Sequence, residues 1–97
     1  MCFFDIHTHL VSDDMTCSVW SQNVLSLPVP LAAKHVSVGI HPWFLSEENA
    51  EAQLQKLREL LDDSRVVAIG EVGLDKLRGP AMDIQTTVFR QAIGLAE

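Results

Sequence analysis

The feature that most constrains the fold is the alternation, in the second half of the chain, of short apolar runs with helical patterns. The run "HVSVGI" (residues 35–40) precedes one amphipathic pattern, and the run "VVAIGEVG" (residues 66–73) precedes another. β-Branched residues dominate both runs, as is typical of strands. A strand–helix–strand succession favours a parallel sheet, because the helix carries the chain back to the starting edge. We therefore predict an α/β fold of parallel strands with crossover helices.

Two helices are predicted from apolar residues that recur at helical spacing. The first covers residues 46–61, with Ser46 as its N-cap and acidic residues in its first turn. Its apolar face consists of Ala50, Leu54, Leu57 and Leu61. The second covers residues 82–97 and has the stripe Ile84, Val88, Ala92 and Leu95. Each stripe needs an apolar partner surface, which the sheet can supply.

The first third of the chain has weaker patterns. A first strand is predicted over residues 2–6, whereas residues 12–14 have turn character. Pro28 and Pro30 argue against a central strand near them and favour at most a short edge strand followed by a loop. By contrast, the run at residues 66–73 is nearly all apolar and predicts a strand buried on both faces.

Composition restricts the class of protein. The 97 residues are 47% hydrophobic and 21% charged, as expected for one globular domain. No apolar run approaches the roughly 18 residues of a membrane span, and no basic leader precedes one, so we expect a cytoplasmic protein without membrane association. Cys2 and Cys17 are interpreted as free thiols. The net charge of −6 argues against a basic DNA-binding groove and suits a site that collects divalent cations.

Polar residues follow each of the predicted strands. His7 and His9 follow the first, His41 follows the next and Glu71 ends the last. Residues i and i+2 of a strand point the same way, so both imidazoles of "DIHTHL" can reach one point. Since the carboxyl ends of parallel strands meet at one edge, two histidines and a glutamate there predict a divalent-metal site. Candidates for orienting the ligands or contacting substrate are Asp5 and Asp75.

Each motif also has a simpler interpretation, which the residues alone leave open. The His-X-His pattern fits two surface histidines, and Glu71 fits a solvated strand end. His41, which precedes Pro42, fits a turn, and the aromatic residues Trp43 and Phe44 fit packing. The joint placement at strand ends, rather than any single residue, favours the metal site.

Four motifs, "DIHTHL", "SVGIHPWF", "AIGEVGLDK" and "QTTVFRQAIGLAE", occur in an order that resembles the TatD family of metal-dependent deoxyribonucleases. Together they cover most of residues 3–97, with a gap at about residues 11–33. The resemblance implies a TIM-like (β/α) barrel of the amidohydrolase type, with its metal centre at the carboxyl ends of the strands. It also implies that this chain is the N-terminal portion of such a barrel.

The resemblance also implies roles for individual residues. His7, His9 and Glu71 would be metal ligands, and Glu71 would bridge the ions when two are bound. Catalytic roles would belong to Glu71 and Asp75, while His41 and Asp75 would line the substrate pocket. The implied cofactor is one or two divalent ions of magnesium, zinc or manganese. The implied partner is DNA or another phosphodiester substrate.

The length of the chain predicts an incomplete barrel. A complete barrel takes about 250 residues, or at least 200, and the family's further ligands, two histidines and a late aspartate, would lie beyond residue 97. The span before "SVGIHPW" is also shorter than the helix–strand–helix of longer relatives. We expect residues 1–97 to form a single partial domain that is inactive in isolation. An unpaired strand at residues 66–69 would promote self-association or aggregation.

Two other functions remain open at this point. Other amidohydrolases and histidinol-phosphatase-like phosphoesterases also use His-X-His with a strand-end glutamate. A catalytically inactive metal-binding fragment would equally explain the absence of the later ligands.

Overall fold

The computed structural model describes residues 4–11, 15–26 and 28–97. Four parallel strands form one sheet in chain order: β1 (Asp5–Thr8), β2 (Ser18–Asn23), β3 (His35–Gly39) and β4 (Val66–Ile69). A 3-10 helix (Pro42–Phe44) follows β3, helix α1 (Ala50–Leu60) leads to β4, and helix α2 (Met82–Ala96) follows it. The α/β class is confirmed. Parallel strands that neighbour one another in chain order form the arrangement found in part of a TIM-like barrel.

The core lies between the sheet and the two helices. Val36 and Val38 of β3 are fully buried against Leu54 and Leu57 of α1. The stripe of α2 joins the same cluster through its buried members, Val88 and Ala92. Both predicted helical stripes therefore face the core. Full burial of each valine or leucine side chain stabilises the fold by about 1.5–3 kcal/mol.

Helix α1 begins later than predicted. The backbone N–H of Ser46 donates to Oδ1 of Asn49 at 2.7 Å, and the N–H of Asn49 donates to Oγ of Ser46 at 3.1 Å. This reciprocal pair closes a turn ahead of the helix. Ser46 therefore satisfies backbone groups of the turn, and the helix begins at Ala50.

Strand β2 was not predicted. The expectation of at most a short edge strand near the prolines is confirmed, because residues 28–34 form no strand. β2 lies earlier and inside the sheet, paired with β1 on one side and β3 on the other. Its sequence, "SVWSQN", has no apolar run, but its polar groups are satisfied internally. Gln22 accepts from Nε1 of Trp20 at 2.8 Å and donates to the Asn23 carbonyl at 3.2 Å. Pro28 and Pro30 follow the strand and interrupt no ladder.

Strand β4 corrects a second expectation. The run at residues 66–73 predicted burial on both faces, yet β4 ends at Ile69 and Val67 is 59% exposed. β4 pairs only with β3 in the described part of the sheet and so lies at its edge. The expected edge position is confirmed, whereas self-association stays a prediction. The first predicted strand is shifted: β1 covers residues 5–8, and residues 1–3 and 12–14 lie outside the described residues.

Cys17 is disulfide-bonded, so its interpretation as a free thiol is wrong; Cys2 lies outside the described residues. In the part of the chain that the structure describes, neither helix is long and apolar enough to cross a membrane.

Candidate metal centre

Three of the predicted site residues meet at the carboxyl edge of the sheet. His7 lies in β1, His9 follows it, and Glu71 follows β4. Nε2 of His7 is 3.7 Å from Oε1 of Glu71, and Nε2 of His9 is 3.9 Å from Oε2 of the same carboxylate. The ligand atoms of all three lie within 4.8 Å of one another. The structure thus brings together the residues that the sequence suggested as ligands.

This convergence depends on the curvature of the sheet. β1 and β4 lie at opposite edges of the four strands, and in a flat sheet they would be about 14 Å apart at the usual strand spacing. Side chains of the two edge strands nevertheless meet, and the rings of Phe4 and His35 approach to 5.8 Å across β2. The cluster therefore occupies a concave face, as the interior of a barrel wall would provide.

The distances suit a metal ion. Two ligands at about 2.1 Å from a tetrahedral ion lie about 3.4 Å apart, so the observed 3.7 and 3.9 Å need only small movements. The imidazole rings of His7 and His9 are perpendicular, with centroids 4.9 Å apart. Roughly half of each ligand side chain is exposed. The donor set of two imidazoles and one carboxylate fits zinc and also admits manganese or magnesium.

Asp5 supports the end of β1 and lies outside the three-residue cluster. Its Oδ1 accepts the backbone N–H of His7 at 3.0 Å. Thr8 makes a similar contact, with Oγ1 accepting the N–H of Leu10 at 3.1 Å. These short-range bonds occur where the pairing of β1 with β2 shifts register. Asp5 therefore shapes the backbone that presents the two histidines.

Gly39, at the end of β3, allows the loop with Glu71 to approach. A Cβ at Gly39 would collide with the carbonyl oxygen of Glu71 and with the backbone of Gly70. Only glycine permits so close a backbone approach without displacement. The ends of β3 and β4 are thereby held together beside the cluster.

His41 and Asp75 form a second group, joined through Trp43. Nδ1 of His41 accepts the backbone N–H of Trp43 at 3.1 Å. The centroid of the His41 ring lies 5.0 Å from the centroid of the Trp43 ring and 5.4 Å from that of Phe44. Oδ2 of Asp75 accepts the indole N–H at 2.6 Å, and its Oδ1 accepts the N–H of Leu77 at 2.8 Å. The indole bond, followed by the backbone bond, lowers the pKa of Asp75. The structure does not place His41 or Asp75 in the metal cluster.

Gln85 organises the same loop and is not among the residues that the sequence pattern predicted. Gln85 lies in α2 and is 1% exposed. Its Oε1 accepts the N–H of Asp75 at 2.8 Å, while its Nε2 donates to the carbonyls of Asp75 and Pro80 at 3.0 and 2.7 Å. A signal was present, since position 85 falls on the same helical face as Val88 and Ala92. A polar residue on an apolar stripe marks a buried hydrogen-bonding role.

A parallel sheet with a His/His/Glu cluster at its carboxyl edge is an arrangement that could hold a divalent metal ion. Residues 7–97 match the family model described as TatD related DNase, and the chain therefore belongs to the TatD family. No curated protein and no solved structure gives a significant match. Membership supports a hydrolase of the DNase type in general, with the metal dependence of the family, and agrees with the possible metal cluster.

Proposed function

We propose that this chain provides part of the metal centre of a divalent-metal-dependent hydrolase that cleaves phosphodiester bonds in DNA. The observation that carries the proposal is the convergence of His7, His9 and Glu71 at the carboxyl edge of the sheet. Membership of the TatD family favours a nuclease over another amidohydrolase or a phosphomonoesterase.

The three side chains have separate roles in holding the ion. The Nε2 atoms of His7 and His9 would coordinate it in their neutral form. Each oxygen of Glu71 faces a different histidine, so its carboxylate suits bridging if two ions bind. When bound, a divalent ion of zinc, manganese or magnesium lowers the pKa of water and polarises a phosphoryl oxygen.

His41 is proposed to contact the substrate. Because its Nδ1 accepts the N–H of Trp43, the neutral ring carries its proton on Nε2. That N–H can donate to a phosphate oxygen. Asp75, for which a catalytic and substrate-binding role was expected, has both carboxylate oxygens engaged by the protein. Its contacts favour holding Trp43 in place.

The metal site is tested by titrating the protein with Zn²⁺ and with Mn²⁺ in a calorimeter. Removal of two of three ligands in His7→Ala/His9→Ala should weaken binding by at least about 100-fold, since even outer partners of a metal site contribute 10–100-fold. His35→Ala is the matched control, because His35 lies in β3 outside the cluster and should leave the affinity unchanged. Equal affinities in the double variant and the parent would contradict the site.

The reaction is tested with the full-length protein and a labelled oligonucleotide. The same double variant should abolish cleavage while its circular dichroism stays that of the parent. Retained DNA cleavage would refute the proposed role of the histidines. A parallel assay with phosphomonoesters and cyclic amides separates the alternatives, since preference for an amide would favour another amidohydrolase.

A further inference from the structure

Arg78 is an exposed cation with a fixed position. Its Cζ lies 4.0 Å from the centroid of the Trp43 ring, which places the guanidinium over the indole. Trp43 itself is 44% exposed. Across residues 4–11, 15–26 and 28–97, the guanidinium forms no salt bridge and donates no hydrogen bond. Stacking therefore orders the side chain while leaving its N–H donors available.

The support beneath this pair is built from hydrogen bonds. Asp75 binds the indole through Oδ2 and accepts the backbone N–H groups of Leu77 and Arg78 through Oδ1, at 2.8 and 3.1 Å. One carboxylate thus holds both the ring and the backbone that carries the cation. Buried Gln85 holds the backbone of Asp75 on both sides. Ordering a binding residue in advance reduces the entropy lost when ligand binds.

Gly79 turns the chain back directly after Arg78. Its φ is 103°, a conformation that favours glycine, and a Cβ there would lie 2.6 Å from the carbonyl oxygen of Pro42. The loop at residues 70–81 is thereby pinned against the 3-10 helix that follows β3. The same loop carries Glu71, so Arg78 and the candidate metal centre belong to one edge of the sheet.

We propose that Arg78, stacked on Trp43, is a phosphate-binding residue that seats the DNA backbone beside the metal centre. This inference rests on the proposed function. A guanidinium presents parallel N–H donors that match the oxygens of a phosphate. The chain has seven basic residues against thirteen acidic ones, so a polyanion needs a specific cation rather than a general basic surface. Asp75, Trp43 and Gln85 are positioning residues for that cation.

The test measures DNA binding without metal, so that it does not depend on the metal centre. Fluorescein-labelled hexathymidylate is titrated with the protein in EDTA at several concentrations of KCl, with anisotropy as the readout. Arg78→Ala should weaken binding about 10-fold, the lower end for a hydrogen bond to a charged group. The slope of log K against log salt should fall by about 0.7, the value for one phosphate contact on a single strand.

Two control variants separate charge, geometry and fold. Arg90→Ala removes an exposed arginine from α2 and should change neither affinity nor slope. Arg78→Lys should keep the slope but bind more weakly than the parent, because an ammonium lacks the planar fork.

The outcomes distinguish this inference from the proposed function. An unchanged affinity and slope in Arg78→Ala would overturn it even if the histidine variants lose metal. Absence of DNA binding by the parent protein at low salt would overturn it as well. Hexathymidylate with an uncharged methylphosphonate backbone should bind Arg78→Ala and the parent protein with equal affinity. An equal effect on that probe would show that Arg78 contacts bases, which would also contradict the inference.

Discussion

Strands β3 and β4 are neighbours whose burial is the reverse of what their sequences suggest. β3, "HVSVG", contains a histidine, a serine and a glycine, whereas β4, "VVAI", is wholly apolar. Yet residues 36–39 are all buried, while Val67 of β4 is 59% exposed. β3 has strands on both sides and helix α1 against it, and β4 pairs only with β3 in the described sheet. Position in the sheet therefore decides burial more than the apolarity of the strand.

The candidate site also draws on edge and interior strands in different ways. Its ligands come from the edges, with His7 and His9 at β1 and Glu71 after β4. The interior strand β3 supplies the support, through Gly39 against the Glu71 backbone and through the turn that follows it. Half-exposed ligands on a buried support remain accessible to an ion and to substrate while keeping a fixed spacing.

The largest effect on stability is expected where the two strands differ most. Val38→Ala in β3 should lower the free energy of unfolding by about 2 kcal/mol, because it removes buried methyl groups and leaves a cavity. Val67→Ala in β4 makes the same chemical change at an exposed position and should cost about 0.5 kcal/mol or less. Urea denaturation of both variants measures the difference. Equal losses would mean that β4 is as buried as its sequence suggests.

A loss of stability of comparable size is expected at the contact between the two strand ends. Gly39→Ala places a Cβ against the Glu71 backbone and should cost about 1–3 kcal/mol. Because the clash displaces Glu71, affinity for Zn²⁺ should fall with it. Gly94→Ala is the control, because a Cβ at this position in α2 meets open space. This variant should raise the free energy of unfolding by about 0.5–1 kcal/mol and leave the affinity for Zn²⁺ unchanged. Unchanged zinc affinity in Gly39→Ala would show that Glu71 does not depend on this contact.

The smallest effect concerns the pair that holds the start of β4. Nη2 of Arg65 lies 2.7 Å from Oδ2 of Asp63. Nη1 of Arg65 donates to the carbonyl of Pro30, which precedes β3 in the chain, at 2.9 Å. The side-chain bond with Arg65 lowers the pKa of Asp63 from 3.8 to about 2. A lowered folded-state pKa means that the pair stabilises the fold fully above about pH 4 and loses this contribution as pH falls toward 2.

This pH dependence is measured from urea midpoints between pH 2 and pH 5. Asp63→Asn removes the titrating group, so its midpoints should vary less with pH than those of the parent. Asp62→Asn, which changes the neighbouring exposed carboxylate, serves as the control and should follow the parent. An identical pH profile for Asp63→Asn and the parent would indicate that the pair does not contribute.

Local periodicity in the sequence was enough to predict several features of the fold. Apolar residues at helical spacing located both helices to within a few residues at their starts, because one stripe on a helix must face the core. The succession of strand and helix indicated parallel pairing, which the sheet has. The His-X-His spacing and the strand-end position of Glu71 also sufficed to nominate the three residues that meet.

Features that depend on contacts between distant segments could not be predicted from the sequence. The polar strand β2 holds an interior place because Gln22 satisfies its own hydrogen bonds there, and no periodic pattern reveals that. The bond between Trp43 and Asp75 spans 32 residues, and the burial of Gln85 depends on the loop that it binds. The curvature that brings β1 to the end of β4 likewise has no local signal. Burial, curvature and long-range hydrogen bonds are properties of the packed chain, because each is set by which segments become neighbours.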